Sequence, residues 1–463
     1  MNALAQAINT QEARTANGMK TLTSSQDHLV DLFFAIGASR GKDLTEEFLR
    51  ALDQDGMLAV RLLMWARDVR GGAGERDVVR TILRKVESTH PQLVLKVLPH
   101  LAEFGRWDDL LIFSTQAVKN TAYGLVRDAL LAGNGLCAKW TPRKGAVAAE
   151  LRAFMGLSPK AYRKMLVGLT NVVETKMCAG EWKDIEYSKL PSLASSRYSR
   201  AFSRHDAEGY TQFKEALKAG TTTINSGAVY PYDILKGGRY GGDREVMAAQ
   251  WAALPDYLDG SSILPMCDVS GSMSSAVAGN NNLSCMDVCI SLGLYLSERN
   301  KSAYKDMILT FSGDTKIQHL TGDLWSRYAQ LESADWGMNT DLARAFDRIL
   351  ERAVEWRVPQ NCLPQYLLIL SDMEFDQCVE MDQCAIDTID RKFREAGYVR
   401  PKVVFWNLRA RGGNVPVKFN QAGVALVSGF SPAIMKSVLA AKAFNPRQIV
   451  LDTLADPRYS VIV

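Results

Sequence analysis

From about residue 26 to 219 the apolar residues recur at helical spacing, as in LVDLFFAIGA, EEFLRALDQDGMLAVRLLMWARDV, DVVRTILRKV and LVLKVLPHLAEF. Strand-like alternation is scarce in this stretch. Short punctuators such as Arg70-Gly71-Gly72-Ala73-Gly74, His90-Pro91, Phe104-Gly105-Arg106 and Ala132-Gly133-Asn134-Gly135 separate the segments. The pattern predicts stacked antiparallel helices, although no sequence repeat of fixed period accompanies it.

The stretch from Gly220 to Asp243 is rich in Gly, Thr and Tyr and breaks the helical periodicity. Beyond Pro255 short apolar runs alternate with amphipathic segments: ILPMCDVS, NLSCMDVCISLGLYLSERN, DMILTF, TDLARAFDRILERAVEW, YLLILSD, MDQCAIDTIDRKFREAG and KVVFWNL, with GVALVSG and SPAIMKSVLAA after them. Near-continuous apolar strands alternating with helices predict a mostly parallel sheet covered on both faces. We therefore read two domains, 1–250 helical and 255–463 α/β. The 463-residue length agrees with two cores rather than one.

Composition narrows the class. With 47 % apolar and 23 % charged residues the chain has the make-up of a soluble globular protein. The amino terminus lacks a basic stretch followed by an apolar run, and no run reaches the roughly 18 apolar residues of a membrane span. A cytoplasmic protein without a membrane partner is expected. The eight cysteines, at 137, 178, 267, 285, 289, 362, 378 and 384, include no C-x-x-C pair, which argues against zinc and against a disulfide framework. Cys267, inside an apolar run, reads as a buried small hydrophobe rather than a nucleophile. The five histidines lack ligand spacing and read as structural or exposed.

Net charge is only +4, yet residues 139–204 hold 13 Lys and Arg against 5 Asp and Glu. Lys139, Arg143, Lys144, Lys160, Arg163, Lys164, Arg197, Arg200 and Arg204 are interleaved there with Trp140, Tyr162, Trp182, Tyr187 and Tyr198. Cations for phosphates beside aromatic platforms for bases are what single-stranded nucleic acid requires. A helical protein with buried aromatics and a solvated basic face has the same composition, so both readings stand. Arg67, Arg70 and Arg76 flank a glycine turn that could grip phosphate, but Asp68, Glu75 and Asp77 can pair with them, and structural ion pairs are the favoured reading.

Three loops at strand ends carry metal chemistry. Asp268-Val269-Ser270-Gly271-Ser272 follows the strand ending at Cys267, Thr340 precedes a helix, and Asp372 follows the strand ending at Leu370. In open α/β sheets ligands collect at the carboxyl ends of strands. Mg²⁺ wants about six oxygens and keeps several waters, so two carboxylates and three hydroxyls suffice. Gly271 is expected to let the loop turn tightly. The segment Gly337 to Asp341 also reads as a helix N-cap. Glu374 and Asp376 read as solvated loop acids rather than supporting charge.

D-x-S-x-S, a distant Thr and a distant Asp resemble the metal-ion-dependent adhesion site of von Willebrand factor A domains, over roughly residues 260 to 463. That resemblance implies Mg²⁺ or Mn²⁺ held by Asp268, Ser270, Ser272, Thr340 and Asp372, with one position left for a partner's acidic group. RDVRGGAGER at 67–76 and AVYPYDIL at 228–235 resemble segments of the TROVE domain, the helical-repeat RNA-binding module of the Ro autoantigen and telomerase-associated proteins. WNLRARGGNVPV and VALVSGFSPAIMKSVL are similar to the carboxyl-terminal portion of that family. FGRWDDLL at 104–111, AKWTPRK at 138–144, YRKML at 162–166 and VVETKMCAGEWKDIEYSKLPS at 172–192 resemble an uncharacterised TROVE-related family of plants, bacteria and phages.

The resemblance implies an α-helical (HEAT-like) repeat domain followed by a doubly wound von Willebrand A (Rossmann-like) domain. It also implies a ring of helices that accepts single-stranded RNA ends. The helical part, about 250 residues, is shorter than Ro's, so ring closure is left open. Three functions follow. The first is a non-catalytic protein that binds small or single-stranded RNA through the helices and an acidic ligand through the metal. The second is a metal-dependent interaction adaptor without nucleic acid. The third is a metal-dependent phosphoester hydrolase, for which a second metal cluster, a positioned histidine and a phosphate loop are all missing.

Overall fold

The computed structural model describes residues 12–462 apart from 228, 278–279, 311–315, 334–340, 377–384 and 410–413. It has a helical region followed by an α/β domain with a six-stranded, mostly parallel sheet. By packing, the chain divides into two compact units, one of Leu63–Pro255 and one that joins Asp256–Val461 to the residues up to Leu62.

In the helical unit, apolar residues at helical spacing become buried stripes. In the helix Asp77–Val86, residues Val78, Val79, Ile82, Leu83 and Val86 are all buried. Prolines open the helices Pro91–Phe104, Pro159–Leu169 and Pro231–Arg239, where a missing N–H costs nothing. The carboxyl-terminal part of this unit has an aromatic core of Tyr187, Phe202, Tyr210 and Phe213 with Ile185, Leu190, Ile224 and Val246. The segments read from the sequence as landmarks meet in space. Arg67, 2 % exposed, donates to Asp109 of FGRWDDLL through Nε at 2.8 Å, and Asp109 also takes Arg80. A Cβ at Gly105 would run into the Arg67 guanidinium, so glycine is required beside that pair. Gly74, at φ +70°, faces the ring of Tyr230 from the AVYPYDIL segment, whose hydroxyl donates to the Ala73 carbonyl.

In the other unit the sheet strands are β1 (Ile263–Cys267), β2 (Met307–Thr310), β3 (Ile317–His319), β4 (Tyr366–Ser371), β5 (Lys402–Asn407) and β6 (Val424–Ser428). Their order is β6-β5-β4-β1-β2-β3, all parallel except the edge strand β3. All five residues of β1 and all six of β4 are buried, as the near-continuous apolar runs predict. The helix Cys285–Arg299 packs on β1 and β4, and a Cβ at Gly293 would overlap the Cys267 sulfur.

The amino-terminal residues differ from the sequence-based assignment of 1–250 to one helical domain. The helix His28–Ile36 buries six of its nine residues, too many for one partner. It lies along β6, where Ser428 Oγ donates to the Phe33 carbonyl at 2.7 Å and Asn407 Nδ2 to the Phe34 carbonyl at 3.1 Å. Those polar strand ends satisfy helix carbonyls that otherwise lack partners. Ahead of it, Glu12–Arg14 and Lys20–Leu22 form a small antiparallel hairpin. Among the described residues no helix is long and apolar enough to cross a membrane.

Candidate metal centre

The chain runs from β1 to β2 on one side and returns to β4 on the other, so the strand order reverses between β1 and β4. A crevice opens at the carboxyl ends of the strands at such a reversal. Cys267 pairs in register with Leu370, which puts Asp268 beside Ser371 and Asp372. The Asp268 amide donates to the Leu370 carbonyl at 2.9 Å, extending the ladder by one step.

From there the polar side chains converge. Asp268 Oδ1 accepts from the Ser270 amide at 3.0 Å, and Oδ2 accepts from Ser371 Oγ at 2.5 Å. The Ser270 and Ser272 hydroxyls lie 3.0 Å apart, and Ser272 Oγ donates to Asp372 Oδ1 at 3.3 Å. Asp268 and Asp372 are both fully buried. Burial pushes the Asp268 carboxyl up to about 6, against hydrogen bonds from Ser371 and Ser270 that favour its anion, and neighbouring Asp372 adds to the rise. Two buried carboxylates with two hydroxyls between them form a hard-oxygen set that a small divalent cation fits, since it relieves the repulsion and keeps waters for its remaining positions.

Four of the five residues expected at the metal are thus brought together. Thr340 lies outside the described residues. Its neighbour Asp341 caps the helix Leu342–Glu355 by accepting from the Arg344 amide at 3.0 Å. Gly271 has a different reason from the tight turn expected of it: a Cβ there would meet nothing within 4 Å, so the backbone does not demand glycine. Its bare Cα leaves the outer side of the loop clear. Cys267 is fully buried, as expected, and Cys289 beside it has its thiol pushed well up by burial.

Glu374 is a correction. It is 3 % exposed rather than solvated, because Asn414 Nδ2 and the Ala16 amide donate to its two carboxylate oxygens at 2.7 and 2.6 Å. Asp376 is half-buried and its backbone bridges to Gly18. Ser371 is a site residue to which sequence reasoning gave no role, although its place between an apolar strand and Asp372 was visible.

The basic stretch of the helical unit is more mixed. Arg143, Lys144, Lys160, Arg163, Lys164, Arg197 and Arg204 are exposed and Lys139 is half-buried. Arg143 donates to Thr170 Oγ1 at 3.2 Å, and Arg200 is held by the Gly241 and Tyr240 carbonyls. Trp140 is half-buried under the Arg106 guanidinium, 3.9 Å from the ring centroid. Tyr162 is not a platform: it is 2 % exposed and its hydroxyl donates to the Pro142 carbonyl at 3.0 Å. Tyr187 is likewise core, and Trp182 stacks on His205 at 4.3 Å. Arg67 is buried in an ion pair with Asp109, which takes it out of a phosphate grip, while exposed Arg76 pairs with Asp77 at the surface and exposed Arg70 donates to the Glu103 carbonyl at 2.7 Å.

The chain matches the family model Domain of unknown function (DUF2828) over residues 15–131 and 151–264, and Domain of unknown function (DUF7788) over 262–456. It is 28 % identical to Uncharacterized protein L728 of Acanthamoeba polyphaga mimivirus, over 95 % of this chain and 86 % of that one. Among solved structures it is similar to the Ro (RSR) protein of Deinococcus radiodurans, at 14 % identity and a TM-score of 0.37, over 93 % of this chain and 99 % of that one.

Proposed function

We propose that the protein is a non-catalytic RNA-binding protein whose α/β unit holds Mg²⁺ or Mn²⁺ and, through the metal, an acidic protein ligand. The observation that carries the metal half is the meeting of Asp268, Ser270, Ser272 and Asp372 at the reversal of strand order between β1 and β4. A bound cation there supplies Lewis acidity toward an incoming carboxylate. The residues hold and orient it: two buried carboxylates set the charge, and Ser371 fixes the Asp268 carboxyl plane. Thr340 completes the proposed ligand set by its likeness to adhesion-site threonines.

The RNA half rests on the exposed cations Lys144, Lys160, Arg163, Lys164, Arg197 and Arg204, with Arg143 and Lys139 beside the half-buried Trp140. The TROVE likeness of the segments around Gly74 and Tyr230 supports it. Helical unit 63–255 is then the proposed nucleic-acid domain, and 256–461 with the residues up to 62 the proposed metal domain, in a protein of the cytoplasm. Affinity for a single-stranded oligonucleotide, measured against salt, tests this half. Each neutralised phosphate contributes a log–log slope of about −0.7, so reversing Lys160, Arg163 and Lys164 to Glu should flatten the slope and weaken binding to all sequences alike. Unchanged slope and affinity in that variant would leave the stretch as a solvated face.

One observation favours the adaptor reading instead. Leu131, Leu136, Val167 and Leu193 of the same helical unit are 47 to 71 % exposed, apolar surface of the kind a protein partner covers. Recovery of no nucleic acid with the native protein would turn the account to that reading.

A further inference from the structure

Asp372 belongs to a loop whose shape is not self-sufficient. Met373 directly after it is buried at φ +64°, a left-handed conformation that a side-chain-bearing residue adopts only where its surroundings impose it. From inside, the Ser371 hydroxyl accepts from the Met373 amide at 3.0 Å. From outside, the loop is gripped by residues some 360 positions earlier in the chain.

The amino-terminal hairpin supplies that grip. Thr15 Oγ1 donates to the Phe375 carbonyl at 2.6 Å and accepts from the Met19 amide at 2.9 Å. Asn17 Nδ2 donates to the Glu374 carbonyl at 2.8 Å, the Ala16 amide to Glu374 Oε2 at 2.6 Å, and the Gly18 backbone bridges to Asp376. The hairpin is itself anchored. Leu22 and Val415 exchange backbone hydrogen bonds at 2.9 and 3.0 Å, and Thr21 Oγ1 donates to the Val415 carbonyl at 2.7 Å. Asn414 next to that anchor donates to Glu374 Oε1 at 2.7 Å. Glu374 therefore joins three segments: the hairpin, the Asp372 loop and the 414–415 segment.

We propose that residues 14–22 are a strap that holds the Asp372 loop in its metal-ligating shape, with Glu374 as the positioning residue. The inference rests on the metal reading of Asp268, Ser270, Ser272 and Asp372 given above. If the strap sets where the Asp372 carboxylate stands relative to Ser272, loosening it lowers metal affinity. By reciprocity, metal must then tighten the strap.

The charge of Glu374 could act on a cation by itself, so the test separates charge from positioning. Thr15→Val removes two of the strap's hydrogen bonds with no change of charge. Glu374→Ala removes both charge and bonds. Glu374→Gln removes charge but keeps the geometry, with the amide oxygen accepting from Ala16 and the amide nitrogen donating to a flipped Asn414 side chain. MnCl₂ is titrated calorimetrically into each full-length protein, and amide hydrogen exchange of residues 12–22 is followed with and without Mn²⁺. Thr15→Val and Glu374→Ala should weaken Mn²⁺ about 10- to 100-fold, the usual cost of losing a residue that orients a ligand. Glu374→Gln should stay close to the parent protein, and Mn²⁺ should slow exchange in the strap of the parent but not of Thr15→Val. Parent-like affinity in both weakening variants, or strap exchange indifferent to bound Mn²⁺, overturns the strap alone. A parent protein that binds no Mn²⁺ overturns the metal reading and the strap with it.

Discussion

Ser371 donates its hydroxyl proton to Asp268 across the seam between β4 and β1, Oγ to Oδ2 at 2.5 Å, while the same oxygen accepts from the Met373 amide. One fully buried hydroxyl thus orients the first carboxylate of the candidate metal centre and shapes the loop that carries the second.

Ser371→Ala should act on both. Leaving buried Asp268 Oδ2 and the Met373 amide without this partner is expected to lower stability by about 1 to 3 kcal/mol. It should also weaken Mn²⁺ by about 10-fold or more. Urea unfolding with a chelator present reads the first effect and a metal titration of the same sample the second; loss of stability with undiminished metal affinity would separate Ser371 from the site.

Asp109→Ala should be among the most damaging changes in the helical unit. It takes Asp109 from Arg67, 2 % exposed, and leaves Arg80 with Asp108 alone. A buried charge left alone costs about 3 to 5 kcal/mol. Urea denaturation followed by far-ultraviolet dichroism should register it, whereas the exposed pair Arg50–Glu46 should be removable at a cost within the noise.

Gly37→Ala tests the docking of the amino-terminal helix on the sheet. The added methyl would stand 2.6 Å from the Ser428 carbonyl oxygen, a backbone atom that cannot swing away. Overpacking of this kind costs about 1 to 3 kcal/mol. The expected sign is faster proteolytic cleavage in residues 12–62, with the remainder of the α/β unit protected as before.

Trp140 and Tyr162 should part company in RNA binding. Trp140→Ala is expected to cost about 1 to 3 kcal/mol of single-strand affinity if a base stacks on the exposed part of its ring. Tyr162→Phe should leave RNA affinity unchanged, because that ring lies in the core, and lower stability by about 1 kcal/mol for the lost bond to the Pro142 carbonyl. Fluorescence anisotropy of a labelled oligonucleotide distinguishes the two.

The α/β architecture was legible because β1 and β4 are uninterrupted apolar runs that stop at Asp268 and Ser371, so the polar residues beyond them fall at strand ends without any further information. The separation of Tyr162 from the cations around it could also have been read. Tyr162 and Leu166 are four apart and both buried, while Lys160 and Lys164 share the opposite, exposed face. Glu374 could not. Its partners Ala16 and Asn414 lie 358 and 40 positions away, and no periodicity marks a loop acid that a distant hairpin will cover. The pairing of Arg67 with Asp109 is of the same kind: nearer acids, Asp68 and Glu75, were equally good candidates on charge alone.

The account stands most directly on whether one divalent cation binds between β1 and β4. Adding MnCl₂ to the chelator-treated full-length protein and following free Mn²⁺ by electron paramagnetic resonance measures this without any assumed ligand or activity. A single site per chain is predicted, competed by Mg²⁺ and lost in both Asp268→Ala and Asp372→Ala while the dichroism spectrum is retained. Mn²⁺ that stays entirely free, or binds the two variants as it binds the parent protein, would contradict it.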